Sequence, residues 1–312
     1  MNFQQLRIMR ETARCNFNLT EVANVLLTSQ SGVSKHVKDL EDELGLELFV
    51  RKGKRLLRLT DAGAEALQII ERILIDVDNL AQVGARLADG EDGTLRIAAT
   101  HTQARYALPP VLAKFTQAHP QVRLVLHQAN AKEIAGILLD GKADIGLATD
   151  TLEGHAGLAA FPYVQWEHVT VVPVGHPLEQ VRPLTLAAIA EWPIITYDDG
   201  VTGRARIDAA FAGSGVEPDI AITALDADVI KSCVELGLGV GIMAGMAFDA
   251  GRDVGLRKLD CSHLFEVNTS SLAVRRGRYL RGFIYNFISM CSPQLSEKRL
   301  RAVVKGETTS GA

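Results

Sequence analysis

Two sets of side chains in this 312-residue sequence could do chemistry, and they are of different kinds. The first is Thr28, Ser29, Gln30, Ser31, Ser34 and Lys35, followed by Lys38 and the basic run Arg51-Lys52-Gly53-Lys54-Arg55. Glutamine can pair with an adenine edge, serine can donate or accept, and lysine can reach guanine or phosphate. Lys38, Lys52 and Lys54, with Arg51 in the same run, would contact phosphates or the minor groove. The second set is Thr100, Thr102 and Gln103, and then Thr202 and Gly203 after Tyr197-Asp198-Asp199-Gly200. Each group stands where a strand ends and a helix begins. An anion there would meet free backbone N–H groups and the positive end of a helix dipole. Two such helix starts facing one cleft could hold a sulfate-like group through neutral donors. Helix capping alone would also account for threonines at these places.

The elements around the first set follow from apolar spacing. Residues 2–15 form an amphipathic helix with Phe3, Leu6, Ile8 and Met9 inward. Val22, Val25 and Leu26 recur at helical spacing, and a polar Thr28-Ser29-Gln30 break follows. A further helix places Val33, Val37, Leu40 and Leu44 on one face and Ser31, Ser34, Lys35 and Lys38 on the other. Two short helices, a tight turn and a helix with small polar and basic residues at its start form a helix-turn-helix pattern. In that motif the second helix enters the DNA major groove N-terminus first. Gly53 is the turn of a small hairpin, which would form a wing. The expected unit is an all-α winged helix-turn-helix over residues 1–59.

Thr60 or Asp61 can cap the next helix, which runs to about Leu87 and spans roughly 40 Å. Its Leu67, Ile70, Leu74, Val77 and Ala81 repeat at 3 and 4, and Ile73, Leu80 and Leu87 widen the stripe. A lone helix could not bury such a face. The same helix of a second subunit across a two-fold axis would cover it; a core helix of the following domain is the other reading. Residues 60–88 are thus a linker and dimerisation helix. Ala88-Asp89-Gly90-Glu91-Asp92-Gly93 is a polar hinge, assigned to 89–93.

Beyond it the texture changes to alternating strands and helices. A strand at 94–99 and one helix over 102–118 come first; strands at 122–127 and 144–148 flank a helix at 132–139. A second set runs from the strand at 168–174 to that at 240–243, and a strand at 271–274 and a helix at 279–290 close the domain. Alternation implies parallel sheets covered on both faces. Two sets imply an α/β domain over 94–296 with two lobes, lobe I about 94–163 and 268–292 and lobe II about 164–267. The chain crosses between them near Tyr163–His168 and Phe265–Asn268. Residues 297–312 read as a frayed, flexible tail.

Composition excludes several classes. Hydrophobic content of 47% and mean hydropathy of +0.10 fit a folded, soluble chain. No apolar run approaches the roughly 20 residues that span a bilayer, and the N-terminus has no apolar signal segment, so a cytoplasmic protein without membrane contact is expected. Cys15, Cys233, Cys261 and Cys291 lack metal-site spacing and read as buried or spare thiols. Residues 1–60 hold 10 Lys+Arg against 7 Asp+Glu, a balance of +3, which leaves −7 for the rest of a chain of net charge −4. A basic module joined to an acidic one suits a regulator with a separate sensor. Neither a GxSxG elbow nor a P-loop, GxGxxG or HExxH motif occurs, so no enzyme, cofactor or metal site is expected. Gly237-Leu238-Gly239-Val240-Gly241 precedes a strand and lacks dinucleotide-binding spacing; tight packing explains it.

With these residues in view, the sequence resembles the LysR-type transcriptional regulators. Gln4-Gln5-Leu6-Arg7, the Thr28–Lys35 stretch, Leu40-Glu41-Asp42-Glu43-Leu44-Gly45, Leu48-Phe49-x-Arg51 and Leu59-Thr60-x-Ala62-Gly63 match the family in order and spacing. The Thr100–Pro109 segment, Thr202-Gly203-Arg204, Asp226–Lys231 and Leu236–Gly241 resemble the CysB/Cbl branch, which controls sulfur assimilation. The resemblance implies a winged helix, a dimerising linker helix, and a sensor like a periplasmic binding protein. It also implies an activator that acts as a homotetramer, bends promoter DNA and recruits RNA polymerase. Thr100, Thr102, Gln103, Thr149 and Thr202 would be the effector contacts, and Trp166 a wall near the lobe crossing. Sulfate, adenosine phosphosulfate and an acetylserine are the candidate effectors.

Asp198 and Asp199 depart from the branch. Turned into the cleft, they would repel a dianion and favour a ligand with a cationic part. Turned outward, they would only bias a helix N-terminus. The remaining alternatives are a solute-binding protein, which the basic module argues against, and a LysR-type regulator of another pathway with a carboxylate effector.

Overall fold

The computed structural model describes residues 1–53, 55–89, 92–149, 152–201 and 203–304, with backbone alone at 85–89. Lys54, Thr202, two residues of the hinge (Gly90 and Glu91) and residues 305–312 of the tail lie outside the described residues. The chain divides into two compact units, Met1–Ala88 with Gly277–Tyr279, and Asp89–Arg276 with the chain from Leu280 on.

In the first unit each helix begins at a residue that can accept a backbone N–H. Asn2 and Gln5 form a reciprocal capping box at the start of α1 (Phe3–Arg14). Asn18 caps α2 (Leu19–Val25), and Ser29 caps α3 (Gln30–Leu44). Strands β1 (Phe49–Lys52) and β2 (Arg55–Leu59) pair antiparallel as the wing, so the unit is not purely α. Leu6, Ile8, Met9, Val22, Val33, Val37, Leu40, Leu48, Phe49 and Leu56 form its core. Two expected inward residues face out: Phe3 is 53% and Leu44 38% exposed, both at the ends of their helices, beyond the reach of the three-helix core.

Thr60 caps α4 (Asp61–Asp89): its hydroxyl accepts the Gly63 N–H at 2.9 Å and donates to Glu47 O at 2.6 Å. The apolar stripe of α4 divides. Ile70 and Leu74 are buried in the core of the DNA-binding unit, with Leu67 and Ile73 packed against it. Farther along, Leu80 is 73% exposed and Ala81 is exposed. The first half of the stripe therefore closes the preceding unit rather than the following one.

The second unit holds two five-stranded sheets. Its elements begin with β3 (Gly93–Ala99), α5 (Pro109–Ala118), β4 (Val122–Gln128), α6 (Ala131–Leu139), β5 (Ile145–Thr149) and β6 (Leu158–Trp166). The chain then passes through Glu167 into β7 (His168–Pro173), α7 (Leu186–Ala190), β8 (Ile194–Tyr197), α8 (Arg204–Ser214), β9 (Ile220–Ala224), α9 (Ala227–Glu235), β10 (Val240–Ala244) and β11 (Leu256–Asp260). It returns in β12 (Asn268–Arg275) and ends with α10 (Gly282–Cys291) and α11 (Glu297–Val304). The lobe I sheet has the order β4-β3-β5-β12-β6, and the lobe II sheet β11-β7-β10-β8-β9.

Both sheets are mixed, not parallel. β12 runs antiparallel to β5 and β6, and β7 antiparallel to β10 and β11, because the strands that carry the chain between lobes enter each sheet reversed. The expected single helix over 102–118 is broken: Gln103–Ala107 is a π-helical turn, and α5 starts anew at Pro109, whose ring cannot donate the next helical bond. The tail is shorter than expected, since α11 buries Leu300 and Val304 in the lobe I core. Gly239 and Gly241 do pack tightly: a Cβ would lie 2.3 Å from Pro193 O at the first and 2.5 Å from Val171 Cγ2 at the second. Cys15 and Cys261 are buried, Cys233 and Cys291 half-buried, and burial raises the Cys261 thiol to about 11. No helix among the described residues is long and apolar enough to cross a membrane.

Candidate DNA-reading face and effector cleft

Helix α3 turns Val33, Val37 and Leu40 inward, which leaves Gln30, Ser31, Lys35 and Lys38 exposed and Ser34 half-buried on the opposite side. The two faces follow from one 3.6-residue period. Thr28 is half-buried before the helix. Ser29 serves the fold as a helix cap, because its hydroxyl accepts the Gly32 N–H at 3.1 Å and lies 3.2 Å from Ser31 Oγ. Arg51 is also engaged. Its guanidinium bonds Glu41 Oε2, while Glu41 Oε1 accepts the N–H groups of Leu48 and Phe49 at 2.9 and 3.2 Å. Arg51 thus ties α3 to the wing, and Lys52 beside it in β1 is exposed. Arg55 stands outside the expected contacts, although it belongs to the basic run. With Gln30, Thr20 and Asn18 it lines a concavity of about 410 Å³ beside the leading end of α3.

In the second unit a cavity of about 370 Å³ opens between the lobes. Thr100, His101 and Thr102 line its lobe I side, and Gly200, Val201 and Asp226 its lobe II side. Neither threonine is a helix cap. The Thr100 hydroxyl is buried with no hydrogen-bond partner among the described residues, and Thr102 makes no capping bond to the turn that follows. Thr102 instead meets the hydroxyl of Tyr197, which also accepts the Ala244 N–H at 3.0 Å. Burial pushes that phenol up to about 12.

Gln103, Thr149 and Trp166 do not line the cavity; they form a buried hydrogen-bonded group close to Thr100. Gln103 Nε2 donates to Ser270 Oγ at 2.7 Å, and Tyr163 donates to Gln103 Oε1 at 2.5 Å. Thr149 Oγ1 and Ser270 Oγ lie 2.7 Å apart, and Trp166 Nε1 donates to Ser270 at 3.1 Å and to Thr149 at 3.3 Å. The register of β12 explains the meeting, since Ser270 stands opposite Thr149 on one side and Val164 on the other.

Gly203 opens α8 with φ +87°, and a Cβ there would lie 2.8 Å from both His168 Nε2 and Trp166 Cη2. The loop must therefore approach the indole and imidazole with bare backbone. His168 packs edge-on against Trp166, with ring centroids 5.1 Å apart. Burial and the nearby Arg206 charge push its imidazole down to about 4, so the ring is neutral at physiological pH.

The two acidic residues are turned outward. Asp199 is 87% exposed at its side chain and pairs with Arg204 at 3.3 Å, Asp198 accepts the Asp199 N–H at 2.9 Å, and neither lines the cavity. A polar contact spans the lobes beside it. Tyr106 donates to Asp228 Oδ1 at 2.6 Å and Arg105 pairs with Asp228 Oδ2 at 3.2 Å, while Lys231 lies between Asp228 and Asp253. Burial alone would raise the Asp228 carboxyl, but the Tyr106 bond and the Lys231 and Arg105 charges hold it below its usual range. His101, Asp226 and Asp228 bring ligand atoms within 4.8 Å of one another. Asp226 caps α9 and Asp228 is neutralised by protein cations, so the cluster is a structural one.

Sequence reasoning missed His168, Tyr163, Ser270 and Asn268. Their partners lie 60 to 167 residues away, and no local spacing reports such pairs.

Comparison with known proteins agrees with both halves. Residues 3–64 match the bacterial regulatory helix-turn-helix protein, lysR family, and residues 88–296 the LysR substrate binding domain. The chain is 52% identical to the HTH-type transcriptional regulator SsuR of Burkholderia cenocepacia, over 98% of this chain and 99% of that one. It is 47% identical to the HTH-type transcriptional regulator CysB of the same organism, over 99% of each chain. The cofactor-binding domain of the Cbl transcriptional regulator, a crystal structure, superposes with a TM-score of 0.66 at 46% identity, covering 68% of this chain and 93% of that one. The chain belongs to the LysR family of bacterial helix-turn-helix transcriptional regulators, a family of regulators and not of enzymes.

Proposed function

We propose that this chain controls sulfur-assimilation genes and reads a sulfur metabolite or sulfate-like anion in the interlobe cleft. The carrying observation is the chemistry at the cleft: Thr100 and Thr102 on its wall and Gln103 and Thr149 behind it are neutral donors. Neutral donors suit an anion whose charge stays delocalised over its oxygens. Sulfate, adenosine phosphosulfate and an acetylserine are the candidates. Gln30, Ser31, Ser34 and Lys35 read the major groove, and Lys38, Lys52 and Lys54 grip phosphates.

Residues 60–88 link the two halves, and the exposed Leu80 and Ile69 of α4 support a helix pair across a two-fold axis. Two such dimers form a homotetramer that bends promoter DNA and engages RNA polymerase in the cytoplasm. Effector draws the lobes together, closure changes how sensors pack in the tetramer, and the spacing of the paired DNA heads changes. Thermal-shift screening of the full chain with sulfur metabolites tests the reading. A rise with a sulfur compound supports it. Failure of every sulfur compound alongside a rise with an aromatic acid overturns the sulfur assignment.

A further inference from the structure

The π-helical turn Gln103–Ala107 faces both lobes at once, and such turns occur mostly at functional sites. Ala104 is buried in the lobe I core, and Gln103 bonds Ser270 of β12 and Tyr163 of β6. Thr102, Arg105 and Tyr106 point the other way. Thr102 meets Tyr197 of β8, and the other two reach Asp228 of α9.

Tyr106 goes furthest across. Of the described residues packed against the lobe II core, it alone comes from lobe I. Among the described residues no lobe II side chain joins a lobe I cluster in return. Lobe II holds a socket for the ring. Lys231 Nζ donates to Ala247 O at 3.0 Å and pairs with Asp253 at 3.1 Å, which fixes the ammonium 5.4 Å from the centre of the Tyr106 ring, within cation–π reach. Asp228 Oδ1 accepts the phenol proton at 2.6 Å. Lys231 and Arg105 balance Asp228 and Asp253, so closing leaves no net charge in the contact. When the lobes part, Lys231 keeps Asp253 and the socket persists. Tyr106 then loses its packing, its cation and its acceptor together, so the contact belongs to the closed arrangement alone.

We propose that Tyr106 is an interlobe latch, a positioning residue that docks in the socket of Asp228, Lys231 and Asp253 and sets what fraction of the chain is closed before any effector arrives. It thereby scales the affinity of an effector held between the lobes, since a ligand that binds only the closed form loses apparent affinity in proportion as that form is depopulated. The scaling rests on the cleft as effector site; the latch itself does not.

The test uses the full chain carrying Trp192→Phe, which leaves Trp166 as the sole tryptophan. Trp166 is 6% exposed, and Gly203 of lobe II lies against its indole, so parting the lobes uncovers it. Acrylamide quenching without effector therefore reads the open fraction. The quenching constant should rise at least about threefold in Tyr106→Ala, and by less in Tyr106→Phe, which keeps the ring and loses the bond. Calorimetric titration with sodium sulfate at constant ionic strength should show affinity falling in the same order. Asp228→Ala, which removes the acceptor and leaves the ring, takes the place of Tyr106→Ala if that variant does not fold. A lowered melting temperature with parental quenching would give Tyr106 a merely structural role and overturns the latch. Weaker sulfate binding with parental quenching overturns it too. Raised quenching in the variants, with sulfate bound by none of the chains, supports the latch and overturns the sulfate reading of the cleft.

Discussion

Gly203→Ala tests the cleft through its tightest contact. The glycine sits at φ +87°, where a Cβ costs roughly 1–2 kcal/mol in backbone strain. That Cβ would also lie 2.8 Å from His168 Nε2 and from Trp166 Cη2, and both rings are buried. Neither ring can retreat without disturbing its neighbours, since Trp166 bonds Ser270 and His168 meets Asn268. Overpacking of this kind costs about 1–3 kcal/mol. Together the two terms reach about 2–5 kcal/mol, and at about 2–4 °C per kcal/mol for a domain of this size the melting temperature falls by about 4–20 °C. Gly200→Ala is the matched control. Its φ is +77°, but a Cβ there meets nothing within 4 Å, so only the backbone term applies. Scanning calorimetry of both variants separates the contributions. Sulfate affinity should fall about tenfold or more for Gly203→Ala, because the rings are displaced beside Thr149. Equal melting temperatures for the two variants, with sulfate affinity unchanged, would refute the contact.

Replacing Lys35 with Ala should weaken promoter binding and, if the lysine meets phosphate, reduce the salt slope by about 0.9; unchanged affinity and slope would remove it from the interface. Thr100→Val should leave promoter binding intact and abolish the metabolite response in a reporter strain, whereas loss of both together would point to misfolding. His168 has a folded pKa lowered to about 4 from 6.5. Its contribution is therefore fully present above pH 6.5 and declines as the pH falls towards 4. By about 1.4 kcal/mol per pKa unit, wild type should lose about 3 kcal/mol more than His168→Gln between pH 7 and pH 4 in urea unfolding. A parallel loss in both proteins would contradict that. Asp228→Ala should release Arg105 and Tyr106 from lobe II and weaken sulfate binding about three- to tenfold; an unaltered affinity would show that the contact does not favour closure.

The recognition helix is legible in the sequence because one face of α3 must be apolar at a 3.6-residue period, and its two ends carry their own markers, Ser29 and Gly45. Strand β6 is not. Pro162 interrupts its pattern and argues against a strand interior, yet β6 lies at a sheet edge, and the pairing with β12 shifts register close to that proline. The stripe on α4 is apolar as its spacing implies, and spacing alone did not show that Ile70 and Leu74 of its first half join the helix-turn-helix core. Sequence could not orient Asp198 and Asp199, because the deciding partner is Arg204 in the next helix. At the cleft, threonines at strand ends could be found locally. Their buried partners could not, because Ser270 reaches Gln103 and Thr149 from 167 and 121 residues away through the return of the chain into lobe I.

The central claim is that occupancy of the cleft alters the grip on a promoter. Retardation of a sulfur-gene promoter fragment by the full chain at moderate salt, with and without sulfate or an acetylserine, addresses it directly. The account predicts a retarded complex whose affinity or mobility changes when the anion is added. A fragment that is never retarded, or a complex indifferent to every sulfur compound, would contradict it.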